Sequence, residues 1–323
     1  MNFSPLEEKI IKSARETGGI MDWSRYINFC LFDPEFGYYA KQKLRVGKDG
    51  ADFYTASSLK RKVFGRLLNA CAENILKSKG ANETVFERVE IGAEPNSCIT
   101  ESAKILRLGD DLILPQNTIL FSNELLDARP FSRFKFIGGK WSKAYLDFSS
   151  GSFPPREIFL PSDESETALL EKYFPKAKVQ DFRIDFSLDA CGMLEKLCGQ
   201  EWRGMLLFAD YFRSSEELSI LPGGTARTYF RHTQGENFFS EVGNTDITFS
   251  PCSDPLIDIA LECGFSEAFA TSQEDFFMKY ATEEIRKIAT SPDPFSPDKR
   301  ELAQLLSPAH MGSCFRILYA ARF

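Results

Sequence analysis

Two places in the chain put polar side chains directly after a short apolar run. Ile119, Leu120 and Phe121 lead into Ser122, Asn123 and Glu124, with Asp127 just beyond, and Met205 to Ala209 lead into Asp210 and Tyr211. Apolar runs of this length suit strands buried on both faces of a sheet. Open parallel sheets carry ligands at the carboxyl ends of their strands. An amide and a carboxylate placed there can hold a ligand in a fixed direction by charge-assisted hydrogen bonds. From the residues alone, Asn123 and Glu124 either do this or satisfy the first amides of a following helix, where an acid is favoured. Asp127 divides in the same way between a site and a helix start. Asp210 and Tyr211 divide between ligand contact and a wall of the core.

The elements that must position these residues read clearly in parts. Ser4, Pro5 and Glu7 form a capping box, and the helix they open ends at Gly18 and Gly19. Asp22 caps a second helix whose stripe is Trp23, Tyr26, Ile27, Cys30 and Leu31. A long helix follows Thr55, with Ser57 or Ser58 as cap and Val63, Phe64, Leu67, Leu68, Cys71 and Ile75 on its buried face. Val85 to Ile91 predicts a strand running into Gly92, and Lys104 to Leu108 another. Gly138 and Gly139 join two strands as a hairpin. Helices are expected near 166–174 and 188–198, from Ser253 to Gly264, and after Ser272; Cys314 to Ala320 predicts a last strand. Helices alternating with short apolar strands mean an α/β fold with a mainly parallel sheet.

Composition bounds the chemistry. The chain has 323 residues, 43% hydrophobic and 26% charged, as a soluble globular protein does. Its 30 phenylalanines imply a large aromatic core. A net charge of −7 supplies no basic field, so nucleic acid is not expected as a partner. No run approaches the roughly 18 apolar residues of a membrane span, and no signal segment opens the chain. The eight cysteines contain no C-x-x-C pair. They read as reduced thiols of a cytoplasmic protein with no metal site, since His310 and Cys314 lack a second pair of ligands.

Several separated stretches resemble one family. Gly18 to Ile20 with Tyr26, then the L-F-D-P-E-F-G-Y-Y run from Leu31 to Tyr39, resemble the N-terminal signature of MidA-type S-adenosylmethionine-dependent methyltransferases, relatives of the mitochondrial complex I assembly methyltransferase. Asp52, Phe53 and Thr55, with Phe64 and Gly65, match a second signature. Val89 to Ala93 match the start of the glycine-rich motif, and the S-N-E-L-L-D-A run from Ser122 to Ala128 with Pro130 is the most recognisable block. Asp210 and Tyr211, Gly224 and Thr225 with Arg227, Tyr229 and His232, then Asp246 to Thr248, continue in the family's order, as do Leu306, Pro308, Met311, Gly312 and Phe315 at the end.

The resemblance covers nearly the whole chain. It implies a class I methyltransferase-like, Rossmann-like core with an added substrate-side subdomain, S-adenosyl-L-methionine as cofactor, and a protein arginine as acceptor. Residues 1–83 would be an N-terminal helical region and lid, and 84–323 the core with substrate-side insertions at about 133–185 and 213–252. Asp52, Phe53, Thr55, Glu90, Gly92 and Ala93 would line the cofactor, and Glu124, Asn123 and Asp127 would face the acceptor. Glu90 has a simpler reading as the partner of Arg88 on a solvated edge, and Gly92 as a plain strand end.

Two departures stand out. The family's later motif glycines are Glu94 and Asn96 here, and Glu94 adds bulk, restricted further by Pro95, where close backbone approach is wanted. A βα unit takes about 30 residues, and the span from Gly92 to Glu124 holds barely one, so an edge unit is expected to be missing, with Asp110 and Asp111 as substitute adenosine contacts. A second reading therefore stands beside the enzyme: an inactive methyltransferase scaffold serving as a binding or assembly factor. Either way the partner is a protein segment, with a homodimer through an exposed sheet edge as a further expectation.

Overall fold

The helix signals at the start of the chain form as the sequence predicts. Ser4 and Glu7 complete the capping box of α1 (Pro5–Glu16). After a short strand β1 (Ile20–Asp22), the Asp22 carboxylate caps α2 (Trp23–Phe32). The long helix α3 (Ala56–Ser78) is already under way at Ala56, so Ser57 and Ser58 lie inside it and not at its cap. Its predicted stripe, Val63 to Ile75, is buried. This computed structural model describes residues 3–40, 56–93, 98–100, 103–107, 109–231, 233–308 and 311–323, with backbone alone at 56–61. Asp52, Phe53, Thr55, Glu94, Pro95, Asn96, His232 and His310 lie outside the described residues.

Three strands follow: β2 (Glu87–Ile91), β3 (Lys104–Leu106) and β4 (Asn117–Asn123). Next come the hairpin β5 (Ser132–Ile137) and β6 (Lys140–Asp147), then β7 (Arg156–Pro161), α4 (Glu164–Tyr173) and β8 (Arg183–Phe186). Helix α5 (Leu188–Cys198) leads into β9 (Arg203–Asp210) and the single turn α6 (Ser215–Leu218). Three short strands follow, β10 (Arg227–Phe230), β11 (Thr233–Gly235) and β12 (Asp246–Thr248). The chain closes with α7 (Ser253–Glu262), β13 (Glu267–Ser272), α8 (Gln273–Tyr280), α9 (Thr282–Ala289), α10 (Pro297–Leu306) and β14 (Arg316–Arg322).

The central sheet has six strands in the order β13-β14-β9-β4-β2-β3. The strands β3, β2, β4 and β9 run parallel, and β14 is antiparallel to both β9 and β13. Helices cover both faces, as the apolar runs require. Ile119 and Phe121 of β4 face α3, α8 and α10, whereas Leu120 joins α5 and α7 on the other side. The fold is α/β with a mainly parallel sheet, as expected. Its edge is short: β3 has only three residues, and no helix occurs among the described residues between β2 and β3.

A second, antiparallel sheet joins β7, β6, β5 and β8 with β1. It shares a core with the N-terminal helices: Leu6, Ile10, Trp23, Tyr26 and Leu31 pack with Phe131, Leu146, Phe148, Phe238 and Phe249. The three-stranded sheet β11-β10-β12 completes this side. The added layer therefore draws on α1, α2 and the segments on either side of β9, while α3 belongs to the central sheet.

Candidate active site

The parallel strands β2, β4 and β9 end side by side, and each ends in a residue the sequence singled out. At the end of β2, Gly92 has φ +81, a conformation that strains any residue with a Cβ. A Cβ there would also come within 2.7 Å of Leu125 Cδ1. Its N–H donates to Leu106 O at 2.9 Å, tying the β2 end to the edge strand. Ala93 follows, half-buried. Glu90 is buried one turn of the pleat earlier, where its Oε2 accepts the N–H of Ile99 at 2.6 Å. This bond ties the crossover to β2. Gly65 of α3 lets the helix close on the same crossover, since a Cβ there would meet Ile99 O at 2.0 Å.

A cavity of about 210 Å³ opens beside Gly92. Ile91, Leu112, Leu125 and Met193 supply apolar walls, and Arg107, Asp110, Arg129, Asp189 and Lys196 supply polar ones. Asp110 closes the turn after β3 by accepting the N–H of Arg107 at 2.7 Å. Asp189, in the first turn of α5, pairs with Arg129 at 2.5 Å. The sequence predicted α5 as a helix but not that Asp189, Met193 and Lys196 would face this cavity. A helix's apolar period shows which side is buried, not what that side covers.

Leu125 separates the cavity from a group of acids. Asn123 ends β4, and its Nδ2 donates to Glu124 Oε1 at 3.1 Å. Its Oδ1 is buried without a hydrogen-bond partner among the described residues. Glu124 has φ +49, and its own N–H donates to Ala209 O at 2.9 Å. Asp127 is buried, and its Oδ2 accepts from the Thr248 hydroxyl at 2.8 Å. Asp210, at the end of β9, is 1% exposed and accepts the N–H groups of Leu126, Asp127 and Tyr211. Asp246 on β12 is also buried and accepts from the Tyr39 hydroxyl at 3.2 Å.

Burial sets the protonation of these groups, because charge is costly in low dielectric. It pushes the Asp127 carboxyl up to about 6 against the pull of the Thr248 hydroxyl and Arg227. It pushes Asp246 up to about 7, with the charge of Asp127 adding to the rise. Burial also raises Asp210, with the charges of Asp127 and, less, Glu124 adding to the rise, while the N–H groups of Tyr211 and Asp127 pull the other way. Arg227 is the cation of the group: its guanidinium carbon lies 5.0 Å from the Tyr211 ring centre and 5.8 Å from that of Tyr229. Tyr211 packs in turn on Phe315, 4.3 Å between centroids. Among the described residues, no cluster of His, Cys, Asp and Glu could hold a metal ion.

Such a cleft belongs to the α/β proteins that hold a small organic cofactor across their strand ends. Residues 100–269, more than half of the chain, match the family described as "Putative S-adenosyl-L-methionine-dependent methyltransferase". The chain belongs to that family of methyltransferases, and S-adenosyl-L-methionine is its cofactor. Among solved structures it is similar to a COG1565 superfamily member from Burkholderia thailandensis bound to S-adenosyl-homocysteine. The TM-score is 0.81 at 20% identity, covering 100% of this chain and 95% of that one. A second structure of a protein of that superfamily from the same organism has a TM-score of 0.79 at 20% identity, with the same coverage. These likenesses concern the fold. No curated protein matches the chain.

The described residues fit this cofactor. The left-handed Gly92 brings the end of β2 against the Leu125 side chain at the wall of the cavity, where a side chain in its place would have to push Leu125 aside. The apolar walls of the cavity suit a purine face, and Asp110 and Asp189 offer it carboxylate acceptors of the kind that ribose hydroxyls take.

Proposed function

We propose that this methyltransferase is of the MidA type and acts on a protein side-chain nitrogen, that of an arginine. The placement of Glu124 carries the reading. Its carboxylate sits at the end of β4, next to the cavity wall Leu125, on a backbone locked by Ala209. The bound cofactor supplies a methyl group on a positively charged sulfur, so the acceptor nitrogen forms the N–C bond as the S–C bond breaks, and the nitrogen then gives up a proton.

A guanidinium presents planar, paired N–H donors, and a carboxylate accepts two of them. Glu124 would draw the positive charge toward two of the nitrogens and leave the third to donate its lone pair. Asn123 supports the same ligand, since its buried Oδ1 lacks a donor that an incoming N–H would provide. Asp127 and Asp246, raised into the range where carboxyls exchange protons near neutrality, stand behind Glu124 to receive the proton released. The substrate segment would lie against the layer built from residues 133–185 and 213–252, with residues 1–83 contributing the lid.

The test is direct. Purified protein is incubated with isotopically labelled S-adenosyl-L-methionine and matched pools of arginine-bearing and lysine-bearing peptides. Label on arginine nitrogen is the expected result. Label confined to lysine, or to a carboxylate, would overturn the acceptor assignment.

A further inference from the structure

The turn that carries Glu124 is not held by its own sequence. The parallel register of β4 and β9 ends with Asn123 opposite Ala209. One step further the chain leaves the strand at Glu124, whose positive φ is uncommon for a residue with a side chain. Such a conformation persists where its surroundings over-determine it. The N–H groups of Leu126 and Asp127, turned back toward the sheet, then have no strand to pair with. Asp210 takes both on Oδ2, at 2.9 and 3.2 Å, and the N–H of Tyr211 on Oδ1, at 2.7 Å. A single carboxylate, 1% exposed, thus joins the loops after β4 and β9.

We infer that Asp210 is a positioning residue of the methyl-transfer site: it fixes the turn from Glu124 to Asp127 and so aims the Glu124 carboxylate. This rests on the reading of Glu124 as the acceptor-binding group. The residue type follows from the donors present. Three N–H groups converge on both oxygens, and an asparagine could accept on one side only, turning its own N–H₂ against at least one backbone donor.

The experiment uses the full chain loaded with S-adenosyl-homocysteine and methylguanidine as the probe of the acceptor side. D210N, E124Q and the double variant are compared by calorimetry for both ligands. D210N is expected to weaken methylguanidine about 10-fold or more, as expected where a buried backbone donor loses its acceptor. Its affinity for S-adenosyl-homocysteine should stay within about 2-fold, because the bonds lost lie on the acceptor side of Leu125. In the E124Q background the same change should cost nothing more. Independent, additive losses would overturn the inference, as would equal loss of both ligands. If E124Q alone leaves methylguanidine binding intact, the reading of Glu124 fails by itself. Amide hydrogen exchange in the unmutated protein then still decides on Asp210. Slow exchange at Leu126 and Asp127 is expected, and exchange as fast as in an open loop would overturn the positioning role even if D210N does not fold.

Discussion

Glu124 and Gly92 stand on the two sides of Leu125, and substitutions at them should separate binding from chemistry. Gly92→Val places a branched side chain at φ +81 against Leu125. It should weaken S-adenosyl-L-methionine by about 10-fold or more, since such backbone strain costs on the order of 1–3 kcal/mol; calorimetry measures this. The buried acids give a pH dependence of stability. Asp127 and Asp246 have carboxyls raised above their ordinary value in the folded state, to about 6 and about 7. Their contribution is thus fully present below the ordinary carboxylate pKa and is lost as pH rises through those values. Denaturant midpoints measured between about pH 4 and pH 8 should fall with rising pH on this account, and D127N with D246N should flatten the fall.

Which of these residues could be read in the sequence follows from how far apart their partners lie. Asn123, Glu124 and Asp127 were visible because they follow one apolar run directly. Asp210 was visible as a polar strand end, but its bonds to Leu126 and Asp127 span more than eighty positions and leave no local signal. Thr248 and Tyr39 reach Asp127 and Asp246 in the same long-range way. Glu90 stands out by its place in a motif, and the bond of its carboxylate to Ile99 is not legible there.

Among the elements, those with strong periodicity formed where expected: α5, β4, β9 and the β5–β6 hairpin. Strand β13 is half-buried along its whole length, so it has neither an apolar run nor alternation to betray it. The strands β10, β11 and β12 are three or four residues each, too short for a period to show. What holds this layer in place is also hidden from sequence. Arg133 of β5, 5% exposed, pairs with Asp185 of β8 at 2.9 Å and lies over the rings of Trp23 and Phe238. Asp185 in turn accepts the N–H groups of Thr225 and Ala226 just before β10. Arg133→Leu should cost about 3–5 kcal/mol, because it leaves a buried carboxylate unpaired, and urea unfolding measures it.

At the scale of the whole molecule, the central sheet supplies the cofactor half of the cleft and its strand ends supply the acids. The antiparallel layer, built with α1 and α2, shares its core with Phe131, just after the turn of Glu124 to Asp127. The shortened edge at β3 leaves this arrangement intact because an edge strand has neighbours on one side only. Ligand should therefore stabilise the molecule as a unit: at about 100 times its Kd, S-adenosyl-homocysteine should add roughly 2.7 kcal/mol, read as a shift of the thermal midpoint.

The central claim is that Glu124 aims an arginine nitrogen at a methyl group held on the other side of Leu125. The measurement that reaches it most directly is the rate of arginine methylation by E124Q beside its affinity for S-adenosyl-L-methionine. A fall of about 100-fold or more in rate with cofactor affinity unchanged is the predicted result, as for an interaction that orients the acceptor alone. A rate left within a few-fold of the parent, or a parallel loss of cofactor binding, would contradict the account.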